Sequence, residues 1–225
     1  MNFKVIALLC LLAFFNGCQD DSENQQSKQM PEPRLAETTA FKVRTPALDE
    51  AIDQARNALA FRNAGEARKP ISTLLQQLPH DIQGHALVAY ADWLDGRYTE
   101  AKARAAKVVE LLEPYTQANK EDIKARQVYG RALTVLGRVG RAESQLRIVI
   151  RQGSREPVTI DQWVSLLIQR ENLAEHRELF EQVFSGDEAH QDPILCAAKG
   201  LGLIYLDEMD TASKSLSECI QQGTE

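Results

Sequence analysis

Apolar positions between residues 45 and 223 recur at helical spacing and fall into pairs of short segments. The clearest pair runs from His85 to Pro114, with Gly96 at the turn between the two helices and Pro114 expected to close the unit. The small residues at which the two helices would cross are Ala89, Ala91, Ala101 and Ala105. Such a pair cannot bury its apolar face alone, so the pattern predicts neighbouring units of the same kind.

Small residues recur in one register along the chain. The position just after the turn is occupied by Ala67, Ala101, Ala142, His176 and Ala212. The position twelve residues earlier is occupied by Ala55, Ala89, Gly130, Val164 and Gly200. The intervals are about 34, 41, 34 and 36 residues. We assign the long interval to a loop insertion over residues 114–122. The fourth unit departs from the pattern at Val164 and His176, so its helices are expected to pack less closely, or the register slips there.

These five units resemble the tetratricopeptide repeat (TPR) family, which has about 34 residues per repeat and small residues in both helices. The resemblance implies an all-α, TPR-like α-solenoid of about five helix-turn-helix repeats wound into a right-handed superhelix. The alternative is an unrelated helical bundle.

Sequence signals for the start of a helix occur where the repeat register requires them. They are Thr45 with Pro46, Asp81, Asn119, the capping-box pair Thr159 and Gln162, and Asp192 with Pro193. Pro70 is expected to kink its helix or shift its start.

The N-terminus has the features of a targeting signal. Lys4 precedes an apolar run over residues 5–15 that is too short to span a bilayer comfortably. Gly17 and Cys18 resemble the lipobox of bacterial lipoproteins, in which the cysteine is lipidated and becomes the new N-terminus. By the same resemblance, Gln19 implies an outer-membrane anchor facing the periplasm of a Gram-negative bacterium. An ordinary secretory signal is the alternative.

Residues 19–44 are polar and poor in apolar side chains, which is typical of a disordered tether. A flexible chain of this length has a root-mean-square span of about 28 Å. We therefore expect a signal peptide over 1–17, lipidated Cys18 with its tether over 18–44, and a repeat domain over 45–223. No separate polar capping helix is predicted after the fifth unit.

The composition and motifs argue against several functions. A net charge of −6 disfavours nucleic-acid binding, which needs a basic surface. No catalytic, cofactor-binding or metal-ligating motif is found, so we expect neither enzymatic activity nor a cofactor nor a metal site. The four histidines are expected to be solvated or to pack within the fold. They are His80, His85, His176 and His190.

Two cysteines follow the tether, Cys196 and Cys219. In the repeat register, Cys196 lies early in the first helix of the fifth unit and Cys219 late in the second. Antiparallel helices bring these two levels together. An oxidising periplasm would then allow a disulfide that closes the fifth unit, and the alternative is a pair of small, buried, reduced thiols.

The TPR resemblance implies a concave partner-binding groove lined by the first helix of each unit. Its predicted residues are Arg56, Tyr90, Trp93, Gln127, Arg131, Thr134, Ser165, Gln169 and Tyr205. Tyr90 and Trp93 are three residues apart, hence on one helical face, and belong with Arg131 to the residue types that dominate binding hot spots. Alternatively, these aromatic side chains pack between helices. The Lys and Asn residues of chaperone-binding TPR domains do not map onto this sequence.

The sequence therefore predicts a membrane-anchored periplasmic scaffold or adaptor that binds a protein partner. By similarity of plan to TPR lipoproteins, its role would lie in assembly of an envelope complex, in pilus formation, secretion or outer-membrane protein biogenesis. A self-assembling structural lipoprotein is the first alternative. An envelope enzyme is the second, and the lack of paired catalytic motifs argues against it.

Overall fold

The helical pairs predicted from the sequence are present in the computed structural model, which describes residues 45–186 and 192–222. These residues form ten α-helices and no strand. The helices are α1 (Pro46–Ala60), α2 (Ala64–Gln77), α3 (Ile82–Leu94), α4 (Tyr98–Ala118), α5 (Ile123–Val135), α6 (Val139–Arg151), α7 (Pro157–Gln169), α8 (Arg177–Val183), α9 (Pro193–Tyr205) and α10 (Met209–Gln222). The predicted signal peptide, Cys18, the tether and Gly223 lie outside the described residues. Within them, no helix is both long and apolar enough to cross a bilayer.

The odd-numbered helices are the first helices of the five units and form an inner row, while the even-numbered helices form an outer row. Most first helices contact the second helix of their own unit. Successive inner helices also contact one another, as α1 does with α3, α3 with α5 and α7 with α9. The predicted all-α repeat architecture is therefore confirmed.

Small residues stand where the helices of a unit approach most closely. Ala67, Ala101 and Ala142 have no exposed surface. A Cβ atom at Gly130 would lie 2.5 Å from the Leu146 side chain, and one at Gly200 would lie 2.7 Å from Leu216. Real Cβ contacts are not this short, so the second helix packs directly against the backbone of the first.

The turn between the two helices of every unit contains one residue in the left-handed conformation. These residues and their φ angles are Arg62 (56°), Gly96 (78°), Gly137 (70°), Glu171 (57°) and Asp207 (69°). Each stands five residues before the register position of its unit. The fourth unit keeps this spacing, so the register does not slip at His176.

The fourth unit departs from the others in its second helix. A 3-10 turn over Leu173–His176 comes first, and α8 has only seven residues, Arg177–Val183. His176 is too large for a tight helix crossing and is half-buried, with its Nε2 3.1 Å from Nη1 of Arg147. The predicted looser packing of this unit thus takes the form of a divided, shortened helix.

Pro114 does not close the second unit, contrary to the sequence prediction. Helix α4 continues through it to Ala118, because the residues that follow support another helical turn. Thr116 is buried and its hydroxyl donates to the Leu112 carbonyl at 2.8 Å. The inserted segment is therefore partly a helical extension, and only its last residues form a loop.

Two predicted helix caps are shifted. Asp122, rather than Asn119, caps α5 by accepting a hydrogen bond from the Ala125 amide at 2.9 Å. Asn119 instead donates to the Tyr115 carbonyl at the end of α4.

In the fourth unit, Pro157 occupies the first turn of α7, so the helix starts before Thr159. Glu156 is the cap and accepts from the Thr159 amide at 2.8 Å. Pro70 lies inside α2, whose start at Ala64 is capped by Asn63.

Two further features stabilise the fold. A disulfide joins Cys196 on α9 to Cys219 on α10, with a Cα–Cα distance of 6.2 Å. His85 on α3 is completely buried; its Nε2 donates to the Pro79 carbonyl at 2.9 Å and its Nδ1 accepts from Arg104 at 3.1 Å. Burial, together with the Arg104 charge, lowers the pKa of His85 to about 4. This histidine therefore packs in the core as a neutral side chain.

Candidate binding surface on the inner row of helices

All nine predicted groove residues lie on inner helices. Arg56 is on α1, Tyr90 and Trp93 on α3, Gln127, Arg131 and Thr134 on α5, Ser165 and Gln169 on α7, and Tyr205 on α9. Their positions in the fold are those expected from the repeat register. Their surroundings differ, because some of these side chains bond to other inner helices and are not free to meet a partner.

The inner surface is narrowed by a contact between α1 and α7, which belong to the first and fourth units. Arg56 on α1 pairs with Glu156 at the start of α7, at 3.1 Å between Nη2 and Oε1. Arg56 also pairs with Asp53 on its own helix at 3.3 Å. The groove is thus crossed by an ion pair that joins units far apart in the sequence.

A second set of polar contacts links α5 to the fourth unit. Gln127 Nε2 donates to the Thr159 hydroxyl at 3.1 Å, and Gln162 Nε2 donates to the Thr134 hydroxyl at 2.9 Å. The Thr134 hydroxyl in turn donates to the Gly130 carbonyl at 3.0 Å. Gln127 and Thr134, which were predicted to contact a partner, therefore hold adjacent inner helices together.

Arg131 was predicted to line an open groove, but it is buried, with 3% of its surface exposed. Burial lowers the pKa of its guanidinium; the Arg56 charge acts in the same direction and the Glu156 charge opposes it. Within the described residues, Arg131 makes no hydrogen bond and no ion pair. The two ionised side chains that act on it, Arg56 on α1 and Glu156 just before α7, come from the helices that meet across the inner surface.

Tyr90 and Trp93 are stacked and remain partly exposed. Their ring centroids are 5.6 Å apart and the rings are inclined by 17°. We call Tyr90 and Trp93 the aromatic patch.

Asp161 on α7 is a half-buried carboxylate whose titration is shifted. Burial raises the pKa of its carboxyl to about 6, and the Arg62 charge opposes the shift. Sequence reasoning missed this residue, because a single aspartate on a helix carries no motif. Among residues 45–186 and 192–222, no group of three or more His, Cys, Asp or Glu side chains is placed to hold a metal ion.

The remaining predicted residues lie towards the last units. Ser165 is half-buried and Gln169 is exposed, both on α7. Tyr205 is half-buried on α9, and burial, with the nearby Glu171 charge, raises the pKa of its hydroxyl. These three residues do not belong to the aromatic patch.

Comparison with solved structures identifies the architecture. TTC0263, a thermophilic TPR protein of Thermus thermophilus, superposes with a TM-score of 0.54 at 13% identity, over 79% of this chain and 92% of that protein. MamA residues 41 to the end from Desulfovibrio magneticus RS-1 give a TM-score of 0.44 at 14% identity, over 81% and 98% of the two chains. YrrB, described as a TPR protein with an unusual peptide-binding site, gives 0.43 at 17% identity, over 84% and 93%.

No protein-family model and no curated protein sequence matches the chain. The likeness to TTC0263 is one of fold, since identity is low. Together with the five turns in register, it shows that this chain has the fold of a TPR-like helical repeat protein.

Proposed function

We propose that the protein is a scaffold that binds a protein partner through the inner row of helices, with the aromatic patch as the principal contact. The observation that carries the proposal is the stacked, partly exposed pair Tyr90 and Trp93 on α3. TPR-like folds present extended surfaces for partners, and fold alone does not fix which one.

The aromatic patch has the chemistry of a binding hot spot. Large aromatic side chains contribute much apolar area for few rotatable bonds, and tyrosine and tryptophan dominate measured hot spots. A partner segment with apolar side chains would bury the exposed parts of these two rings, which water covers in the free protein.

We further propose that the scaffold is anchored to the outer membrane through lipid on Cys18 and faces the periplasm, where it takes part in assembly of an envelope complex. The lipobox resemblance and the apolar run before it support the anchor. The disulfide between Cys196 and Cys219 supports an oxidising compartment. One acyl chain binds a membrane only reversibly, so firm attachment implies several chains on the same residue.

The anchor is tested by fractionating cells that express the full-length protein or Cys18→Ala. We expect wild type to sediment with outer membranes and to carry a mass increment corresponding to acyl chains. The Cys18→Ala variant should lack that increment and leave the membrane fraction. If wild type carries no lipid, the anchoring proposal fails, and the scaffold proposal stands on the repeat surface alone.

Partner binding is tested by affinity purification of tagged full-length protein from detergent-solubilised membranes, with mass spectrometry of what is retained. We expect one stoichiometric envelope protein, and a loss of about tenfold or more in its recovery with Trp93→Ala, as for a hot-spot residue. Met209→Ala is the matched control, since Met209 is an exposed apolar residue of the distant fifth unit. Equal recovery with wild type and Trp93→Ala would exclude the aromatic patch as the contact.

Self-assembly is the second candidate function, and one observation favours it. Ile220 on α10 is 69% exposed in the last unit. Stacking through this unit would cover it. Sedimentation of wild type and Ile220→Glu at several concentrations separates the possibilities: a concentration-dependent oligomer that Ile220→Glu abolishes supports stacking, and a monomer throughout supports the adaptor.

A further inference from the structure

The charges of this protein are unevenly distributed along the repeats. Residues 119–155, which hold the third unit and the connections on either side of it, contain nine Lys and Arg side chains and only three Asp and Glu side chains. Residues 156–225 contain four Lys and Arg and fourteen Asp and Glu. A strongly basic unit within a chain of net charge −6 indicates a surface for a negatively charged partner.

Four cations of the third unit are exposed at the edge where α5 begins and α6 ends. They are Lys120, Lys124, Arg151 and Arg155. Gln152 joins the end of α6 to the connection before α5, since its Nε2 donates to the Lys120 carbonyl at 3.4 Å and to Glu121 Oε2 at 3.1 Å. Within residues 45–186 and 192–222, none of the four cations makes an ion pair. We call these four residues the basic edge.

A cavity of about 240 Å³ adjoins the basic edge, between the end of α4 and helices α5 and α6. Arg126 lies in its wall and is 8% exposed. Its guanidinium donates only to neutral oxygen atoms: the Lys120 carbonyl at 2.8 Å, Gln145 Oε1 at 2.7 Å and the Thr116 carbonyl at 3.3 Å. No carboxylate of the described residues is therefore bonded to this charge.

The other charged residues of the cavity leave it with an excess of positive charge. Lys120 and Arg141 line it together with Arg126, and Glu113, which pairs with Arg141, is its one carboxylate. The Tyr129 hydroxyl accepts from Arg141, so its own O–H can still donate to a bound group. Guanidinium, ammonium and hydroxyl donors around one cavity are the groups that bind phosphate.

The N-terminal segment enters the fold at the same edge of the repeats. Short connections join helices that alternate in direction, so the first helix of each unit begins, and the second ends, at this edge. Thr45, which directly precedes α1, therefore lies on the side that carries the basic edge. An anchor on the N-terminal side of Thr45 would hold this side towards the membrane.

We propose that the basic edge binds the headgroups of anionic phospholipids, with one phosphate group in the adjoining cavity. The proposal rests on the anchor at Cys18, which keeps the folded units within reach of the bilayer. Lys and Arg side chains near an anionic bilayer are attracted to it, and salt weakens the attraction. The same surface repels the acidic fourth and fifth units, so the inner row of helices stays accessible to a protein partner.

The proposal is tested by photo-crosslinking of acylated full-length protein in vesicles. A photoreactive amino acid replaces Gln117, an exposed residue that lines the cavity, or Thr211, an exposed residue of α10 in the acidic fifth unit. The vesicles contain phosphatidylcholine alone or mixed with phosphatidylglycerol. We expect lipid adducts from position 117, measured by mass spectrometry, to be about tenfold more frequent with phosphatidylglycerol than without it. Adducts from position 211 should be rare in both kinds of vesicle.

Charge reversal and competition test the two parts of the site. Lys120→Glu combined with Arg151→Glu should reduce adducts from position 117 to the level seen with phosphatidylcholine alone, whereas Lys214→Glu, the same change at an exposed lysine of the fifth unit, should leave them unchanged. At constant ionic strength, glycerophosphoglycerol, the headgroup without acyl chains, should compete for the cavity and glycerophosphocholine should not. Competition by inorganic phosphate alone would assign the cavity to free phosphate and contradict the headgroup.

Four results would overturn the proposal. They are equal adducts with and without phosphatidylglycerol, equal adducts from positions 117 and 211, unchanged adducts in the double variant, and, in intact cells, crosslinks from position 117 to an acidic protein instead of lipid. If Cys18 carries no acyl chain, the anchoring proposal fails separately. The full-length protein is then mixed with the same vesicles and centrifuged: flotation only with phosphatidylglycerol supports the basic edge, and no flotation contradicts it.

Discussion

Replacing Gly202 by alanine tests the packing between the shortened fourth unit and the fifth. A Cβ atom at Gly202 on α9 would lie 2.4 Å and 2.6 Å from ring carbons of Phe180 on α8. Phe180 is 2% exposed, so its ring has little room to move. Overpacking of a buried site costs about 1–3 kcal/mol, and these contacts place the cost near the upper end.

Helix propensity opposes this cost, since alanine is favoured over glycine in a helix by about 1 kcal/mol. The net effect of Gly202→Ala is a loss of about 1–2 kcal/mol in the free energy of unfolding. For a folded region of this size, Tm should fall by about 4 °C. Thermal and urea denaturation followed by circular dichroism measure both quantities.

Two further variants make the test specific. Gly65→Ala is the control, because a Cβ atom there meets only Asn63 at an ordinary 3.6 Å, and no loss of stability is expected. Phe180→Leu removes the ring atoms that clash, so the double variant should lose less stability than the sum of the single variants. If Gly202→Ala is as stable as Gly65→Ala, α8 does not pack against α9 in the way described.

The remaining predictions concern the turns, the disulfide and the buried histidine. Glu171 is held in a left-handed backbone conformation that glycine adopts without strain, so Glu171→Gly should raise the free energy of unfolding by about 1 kcal/mol. Gly96 has the same conformation, so Gly96→Ala should lower that free energy by about as much. Urea titration measures both changes. Reduction of the bond between Cys196 and Cys219, which are 23 residues apart, should lower stability by about 3 kcal/mol, seen as a Tm difference between samples with and without reductant. The pKa of His85 is lowered to about 4 in the folded protein, so the unfolded chain binds more protons than the folded one between pH 4 and about 6.5. The free energy of unfolding should therefore be highest above pH 6.5, as far as His85 determines it, and should fall as the pH drops towards 4. The slope over that range should be smaller in His85→Gln, and equal slopes would contradict the buried, neutral histidine.

The repeat register could be predicted because its signals are local. Small residues at fixed spacing mark helix crossings, and Gly96 and Gly137 mark two turns directly. The turns at Arg62, Glu171 and Asp207 adopt the same conformation without glycine. The surrounding helices impose it there, so only the register, and no residue preference, pointed to these turns.

The contact between α1 and α7 could not be predicted from one unit. The path of a solenoid is the sum of small rotations between successive units, and no residue of the first unit encodes its distance from the fourth. The consequence is visible at Arg131. Its place on an inner helix was predicted correctly, but its exposure was not: Arg131 is buried, and the charges that act on it come from Arg56 in the first unit and Glu156 in the fourth.

The end of α4 shows a similar limit. Pro114 matched the family pattern for the end of a unit, yet the buried Thr116 and the Asn119 contact with the Tyr115 carbonyl carry the helix four residues further. A proline inside a helix removes one backbone hydrogen bond, and favourable side-chain burial on the next turn offsets that loss.

The most direct measurement of the central claim is photo-crosslinking in intact cells, with a photoreactive amino acid placed at position 93 on the aromatic patch or at position 209 on the fifth unit. The account predicts a crosslink from position 93 to one other envelope protein and none to that protein from position 209. Crosslinks from position 209 alone, or from position 93 only to a second copy of the chain, would contradict a scaffold that binds its partner through the inner helices.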